Sequence, residues 1–209
     1  MENLYPVFLN LKHKKVYVIG GGQIAARKLE RLLHSEAVIT IISPTIIESI
    51  LTYVNNGLVH WIQKTFELSD IEDAFYIISA TNDPLVSSEL QKAVSPHQLV
   101  NFADDYSSSN VIVPSVVRRG KLAIAVTTSG ASPSLTKKIK NELEGLYGEE
   151  YEEYVEFLME KRVYIQDSVK DLVKRRKLLS LLVEDPLFRT EEREKRFQKI
   201  YKEINNNCE

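Results

Sequence analysis

Lys15 to Gly20 reads KVYVIG, a short β-branched and aromatic run, and Gly21-Gly22-Gln23-Ile24-Ala25 follow it without a break. A run of that kind suits a strand buried on both faces of a parallel sheet. From about Gln23 to Ser35 the chain reads as a helix, with an apolar stripe through Ile24, Ala25, Lys28, Leu29, Leu32 and Leu33, the Lys28 stem lying along it. Strand, glycines and amphipathic helix in that order leave few folds open. Gly20 permits the turn, Gly22 allows close approach, and Ala25 stands where helix and strand pack. Backbone N–H groups at a helix start, with no side chain in front of them, are what a pyrophosphate needs. The turn points to a dinucleotide-binding α/β domain rather than to a bare βα connection.

The rest of the first half keeps the same rhythm. Val38 to Ile42 predicts a second buried strand stopped by Ser43-Pro44, residues 45 to 55 a helix, and Leu58 to Gln63 a third strand. Ala74 to Ala80 predicts a fourth strand, ending at Thr81-Asn82-Asp83-Pro84. A helix from Pro84 to about Val94 follows, with Asp83 as its N-cap, and then a strand at Leu99 to Phe102. Strands and helices alternating at this spacing form a doubly wound parallel sheet.

After Asp105 the character changes. Asn110 to Val117 and Leu122 to Thr127 read as antiparallel strands about a turn at Arg118 to Lys121, although Pro114 argues against a fully paired central position for the first. Ser132-Pro133 opens a helix. From Asn141 onward helical spacing dominates, broken at Asp185-Pro186; Thr190 is placed to cap a last helix, with Glu191 and Glu192 in its first turn.

Composition narrows the setting. The chain has 209 residues with a net charge of -2, which offers no argument for a nucleic-acid or membrane partner. No apolar run is long enough to span a bilayer, and the N-terminus lacks the order of a secretory signal. Cys208 is the single cysteine, which fits a reducing cytoplasm. The four histidines lack ligand spacing, so no metal site is expected.

Three clusters carry chemistry besides the glycine turn. The ribose-binding acid expected at the end of the second strand is missing, because Thr40-Ile41-Ile42-Ser43-Pro44 occupies that stretch. The ribose must be held by the Ser43 hydroxyl, by backbone, or by a residue from elsewhere. The fourth-strand exit, with Thr81 and Asn82, lies where such a sheet opens toward a nicotinamide, though these residues equally suit a helix start. Asn101-Phe102-Ala103-Asp104-Asp105 brings two carboxylates to the carboxyl edge of the sheet, one able to face the cleft and the other solvent. Thr127, Thr128, Ser129, Ser132 and Ser134 surround a helix start where anionic groups bind, or where Ser132 is simply the cap. Lys174-Arg175-Arg176-Lys177 is a solvated helix face unless the substrate is a polyanion.

Taken in order, YPVFLNLKHKKVYVIGGGQIAARK, ATNDPLV, VNFADD and VIVPSVVRRGKLAIAVTTSGASP resemble the precorrin-2 dehydrogenase family, which includes the N-terminal part of siroheme synthases, over about the first 145 residues. The resemblance implies oxidation of precorrin-2 to sirohydrochlorin with NAD. It implies a Rossmann domain over residues 1–109, a dimerisation segment over 110–145 pairing strands across a homodimer, and a helical domain over 146–209. It carries cofactor contacts onto Gly22, Gln23, Ile24, Ser43, Pro44 and Thr45, and the key aspartate onto Asp104 as base. Thr128 falls where relatives often carry serine. Some relatives also insert ferrous iron into sirohydrochlorin, and the resemblance leaves that activity open. A reading from another class is a nucleotide-sensing regulatory module, in which Asp104 is dispensable.

Overall fold

The structure, a computed structural model, describes residues 4–105, 107–184 and 192–206. The chain divides into two compact units, Met1–Val113 and Pro114–Glu209. In the first, β1 (Lys15–Ile19), β2 (Val38–Ile42), β3 (His60–Ile62), β4 (Tyr76–Ser79) and β5 (Leu99–Phe102) form one parallel sheet in the order β3-β2-β1-β4-β5. Alternate side chains of each strand leave on opposite faces. Val16, Val18, Ile41, Tyr76 and Ile78 pack with Ala25 and Leu29 of α1 (Gln23–Leu32) and Ile50 of α2 (Glu48–Asn55). On the other face Ile19, Ile77, Val100 and Phe102 pack with Leu90 of α3 (Pro84–Ala93). Each fully buried leucine or isoleucine stabilises this arrangement by about 1.5–3 kcal/mol. The chain proceeds outward from β1 through β2 to β3, then returns to add β4 on the far side of β1. That reversal opens a crevice at the carboxyl ends of β1 and β4, the place where open α/β sheets bind ligands.

Several bounds in this unit differ from the sequence expectation: α1 gives way to a 3-10 turn over Leu33–Ser35, and β4 covers Tyr76–Ser79 rather than Ala74 to Ala80. α2 begins at Glu48 rather than 45, because the Ile47 N–H is drawn to the Gly21 carbonyl at 3.0 Å and Ile47, its N-cap, is extended. β3 is confined to His60–Ile62 of the expected Leu58 to Gln63, and the Gln63 side chain beyond it bonds the Pro44 carbonyl.

The second unit opens with a hairpin of β6 (Ser115–Arg119) and β7 (Leu122–Val126). The expected strand start at Asn110 is not observed. The N–H groups of Asn110 and Val111 both donate to the Val100 carbonyl, and Pro114 has none to donate. Nor is Arg118 to Lys121 wholly a turn: Arg118 and Arg119 pair with Ala123 and Leu122, and Gly120 at φ +52° makes the reversal tight enough. Ser132 caps α4 (Pro133–Leu146) by accepting from the Leu135 N–H at 3.2 Å. The helical remainder resolves into α5 (Glu150–Ser168), α6 (Leu172–Glu184) and α7 (Arg193–Asn206) around Tyr154, Phe157, Ile165, Leu178, Leu182, Phe197 and Ile200. Lys161 lies buried among them, paired with Glu160 at 2.8 Å and Glu194 at 2.7 Å and seated over the Phe157 and Phe197 rings. The Asp185-Pro186 break, Thr190 and Glu191 lie outside the described residues.

Candidate active site

The three glycines of the turn do different work. Gly20 has φ +109°, and a Cβ there would stand 2.4 Å from the Ala80 carbonyl, so the ends of β1 and β4 are pressed together at the crevice. At Gly21 a Cβ would stand 2.0 Å from the Thr45 carbonyl, which makes this glycine the seat of the loop after β2. At Gly22 nothing lies within 4 Å. Gly22 is also the N-cap of α1, without a side-chain cap, and the first helical bond runs from the Ala26 N–H to its carbonyl. The N–H groups of Gln23, Ile24 and Ala25 thus begin a helix with no intrahelical partner, the arrangement that attracts an anion. Gln23 is exposed and Ile24 half-buried beside them.

The loop after β2 is held from within. The buried Ser43 hydroxyl donates to the Thr45 carbonyl at 2.7 Å, while Pro44 and Thr45 are exposed. Trp61 Nε1 donates to the Ser43 carbonyl at 2.9 Å and Gln63 Nε2 to that of Pro44 at 3.3 Å. The sequence reading passed over Trp61 and Gln63; an indole N–H on a short strand beside that loop was the available signal, because a buried one takes a partner. At the end of β4, Thr81 Oγ1 accepts from the Asp83 N–H at 3.1 Å and Asp83 accepts from Leu85 N–H at 2.9 Å, so the helix start uses both side chains. Asn82 is exposed at the crevice edge.

The two adjacent carboxylates part company. Asp105 accepts from the Ser107 N–H at 2.8 Å and the Ser107 hydroxyl at 2.6 Å, and also from the Ser108 hydroxyl. Those bonds favour its charged form and hold its carboxyl down at about 2. Asp104, one residue earlier, is exposed. Further bonds staple the loop that carries them to the free edge of β5. The Val100 N–H donates to Asn110 Oδ1 at 2.7 Å, Asn110 Nδ2 donates to the Gln98 carbonyl at 2.8 Å, and the Phe102 N–H donates to Ser109 Oγ at 2.8 Å. Asn110 and Ser109 thereby serve the edge as a strand neighbour would. Neither was singled out from sequence.

In the second unit, Thr128 Oγ1 accepts from the Ser132 N–H at 3.0 Å and bonds Thr136 Oγ1 at 3.1 Å, which locks the start of α4. Ser132 is a cap. Ser129 is exposed and sits at φ +51°, a backbone region that non-glycine residues seldom occupy outside constrained sites. Arg119 reaches the Glu144 carbonyl at 3.5 Å and Glu149 at 3.4 Å, so it braces the end of α4. Within the 174–177 run, Arg175 closes the end of α5 on the Val169 and Gln166 carbonyls. Lys174 and Lys177 border a groove of about 430 Å³ with Arg196, over Val173, Leu181, Ile200 and Ile204. Among the described residues no group of three or more His, Cys, Asp or Glu is placed to hold a metal. No helix among them is long and apolar enough to cross a membrane.

Family comparison gives this geometry its context. A model described as putative NAD(P)-binding matches residues 7–115, and one described as the central part of a sirohaem biosynthesis protein matches residues 119–146. A precorrin-2 dehydrogenase of Priestia megaterium is 36% identical over 182 residues, covering 87% of this chain and 90% of the relative. The chain belongs to the precorrin-2 dehydrogenase family. Another such enzyme, from Bacillus subtilis (strain 168), is 37% identical over 68% of this chain and 88% of its own. The siroheme synthase of Xylella fastidiosa (strain M12) is 34% identical over 89% of this chain and 40% of its own length. A solved structure described as SirC, precorrin-2 dehydrogenase, superposes with a TM-score of 0.84 at 35% identity, over 95% of this chain and all of that one. The family's members are oxidoreductases that use a nicotinamide cofactor, and the residues here fit one: the space at Gly22 and the uncapped start of α1 form the cradle a pyrophosphate requires.

Proposed function

We propose that this chain oxidises precorrin-2 to sirohydrochlorin in siroheme biosynthesis, with NAD as oxidant and Asp104 as base. Precorrin-2 gives up a hydride and a proton, the proton leaves on the base, and the macrocycle gains one double bond. Bound at Gly20, Gly22, Gln23 and Ile24, NAD supplies the hydride acceptor. The chain's own residues supply orientation and the proton's destination. Ser43, Pro44 and Thr45 serve the adenosine end and Thr81 and Asn82 the nicotinamide end; of Thr128, Ser129 and Ser132, the exposed Ser129 takes a substrate carboxylate while Thr128 and Ser132 hold its turn. What supports NAD over NADP is the loop itself: Ser43 to Ile47 contains no Arg or Lys that would meet a 2′-phosphate.

The observation that carries the assignment of the base is the division between neighbours. Asp105 is spent on Ser107 and Ser108, while Asp104 projects from the same stapled loop, exposed. A nucleotide sensor needs no base, and in one Asp104 would be dispensable. The hairpin supports a homodimer, with the chain divided at about 109 and 145 as Rossmann, dimerisation and helical parts. A single cysteine and a net charge of -2 support a reducing, cytoplasmic setting without a nucleic-acid or membrane partner. The test is direct: precorrin-2 and NAD with the purified chain yield the sirohydrochlorin absorption spectrum together with NADH. Absence of both, with NAD bound, overturns the proposal.

A further inference from the structure

One side chain joins the cofactor helix to the loop bearing Asp104. Lys28 lies on α1, half-buried, and its Nζ donates to Asn101 Oδ1 at 2.9 Å. Asn101 stands opposite Ile78 in the β4–β5 register, on the face that α1 covers. An ammonium can only donate, so the Asn101 amide must turn its oxygen to Lys28 and its NH2 away. That NH2 donates to the Val111 carbonyl at 3.1 Å, and the Val111 N–H in turn bonds the Val100 carbonyl at 3.2 Å. The outgoing arm of the loop at β5 and its returning arm at Val111 are therefore clamped through one amide whose orientation a cation dictates. Burial lowers the Lys28 pKa, with Arg31 and Arg27 adding to the effect. A methionine would fill the same space without that desolvation cost.

We propose that Lys28 is a positioning residue for the proton-transfer step: through Asn101 it sets where the Asp104 loop leaves and rejoins the sheet, relative to a cofactor bound at the start of the same helix. The inference rests on the reading of Asp104 as base. Lys28→Met keeps the stem and removes the donor. Its kcat is expected to fall about 10- to 100-fold, the upper figure being what a 1 Å misplacement costs, while KM for NAD stays within about twofold. Lys28→Arg, which retains a donor, recovers most of the loss. Should Lys28→Met not fold, Asn101→Asp serves instead: it keeps an acceptor for Lys28 but has no donor for Val111, and the same fall in kcat is expected. A kcat within twofold of the parent in either variant, measured per folded enzyme, overturns the inference, as does Lys28→Arg proving as slow as Lys28→Met. Asp104→Asn is assayed alongside. Turnover surviving that substitution removes the base reading itself; its loss beside a fully active Lys28→Met removes only the role of Lys28.

Discussion

Asp104 and Asp105 carry the same functional group one residue apart, and their surroundings separate them. Four donors from Ser107 and Ser108 turn Asp105 into the closure of its loop. Asp104→Asn is expected to lower kcat by about 10²–10⁴-fold, the range a positioned base contributes, with NAD binding and thermal unfolding unchanged; stopped-flow at saturating substrate measures it. Asp105→Ala acts on the loop instead, lowering Tm and costing at least tenfold less in kcat than Asp104→Asn. Its pH signature has a definite sign. A carboxyl held at about 2 in the fold, against an ordinary 3.8, stabilises the protein above about pH 4 and loses that contribution as pH falls toward 2. The Tm gap between parent and Asp105→Ala should therefore be widest above pH 4 and close on acidification. A gap that is flat with pH would contradict the hydrogen-bonded carboxylate.

At the scale of an element, the turn between β1 and α1 shows why three consecutive glycines are not equivalent. A methyl group at Gly21 meets the Thr45 carbonyl, whereas one at Gly22 meets only open space. Gly22→Ala should fold with only the small Tm loss of a poorer N-cap and bind NAD at least about 10-fold more weakly, since the methyl stands where backbone must approach the pyrophosphate. Gly21→Ala should lose more Tm, because the loop from Ser43 to Ile47 must shift. Calorimetric titration with NAD beside thermal unfolding separates the two; equal NAD affinity in Gly22→Ala and the parent would mean that the phosphates bind elsewhere. The alternation of strand and helix was legible from residue types along all of this unit. The loop after β2 was not. Its shape depends on Trp61 and Gln63, which reach it only once β3 lies beside β2.

For the whole molecule, the hairpin is the feature that asks for company. β6 and β7 form a two-stranded sheet with an open edge on each side, and α4 beside them has no fully buried residue. Two strands alone are marginal in water, and open edges recruit partners. Sedimentation at assay concentrations should give twice the 23.9 kDa of one chain. A species at the single-chain mass with full turnover would remove the dimer from the mechanism.

What the sequence by itself determined is local. A buried strand followed by Gly20-Gly21-Gly22 and an amphipathic helix can do little but build a βα phosphate cradle, and Asp83-Pro84 and Ser132-Pro133 mark helix starts through their own short-range bonds. Tertiary structure decided everything that needed a partner distant in the chain. Which aspartate is left exposed, which glycine has open space before it, and where Lys28 finds Asn101 all depend on segments up to 73 positions apart meeting across a sheet. Hydrogen bonds act over about 3 Å in space, and the order of residues along a chain carries no such distance until the chain has folded. The glycine turn was therefore readable as an uncapped helix start behind a strand, whereas the difference between Asp104 and Asp105 was not.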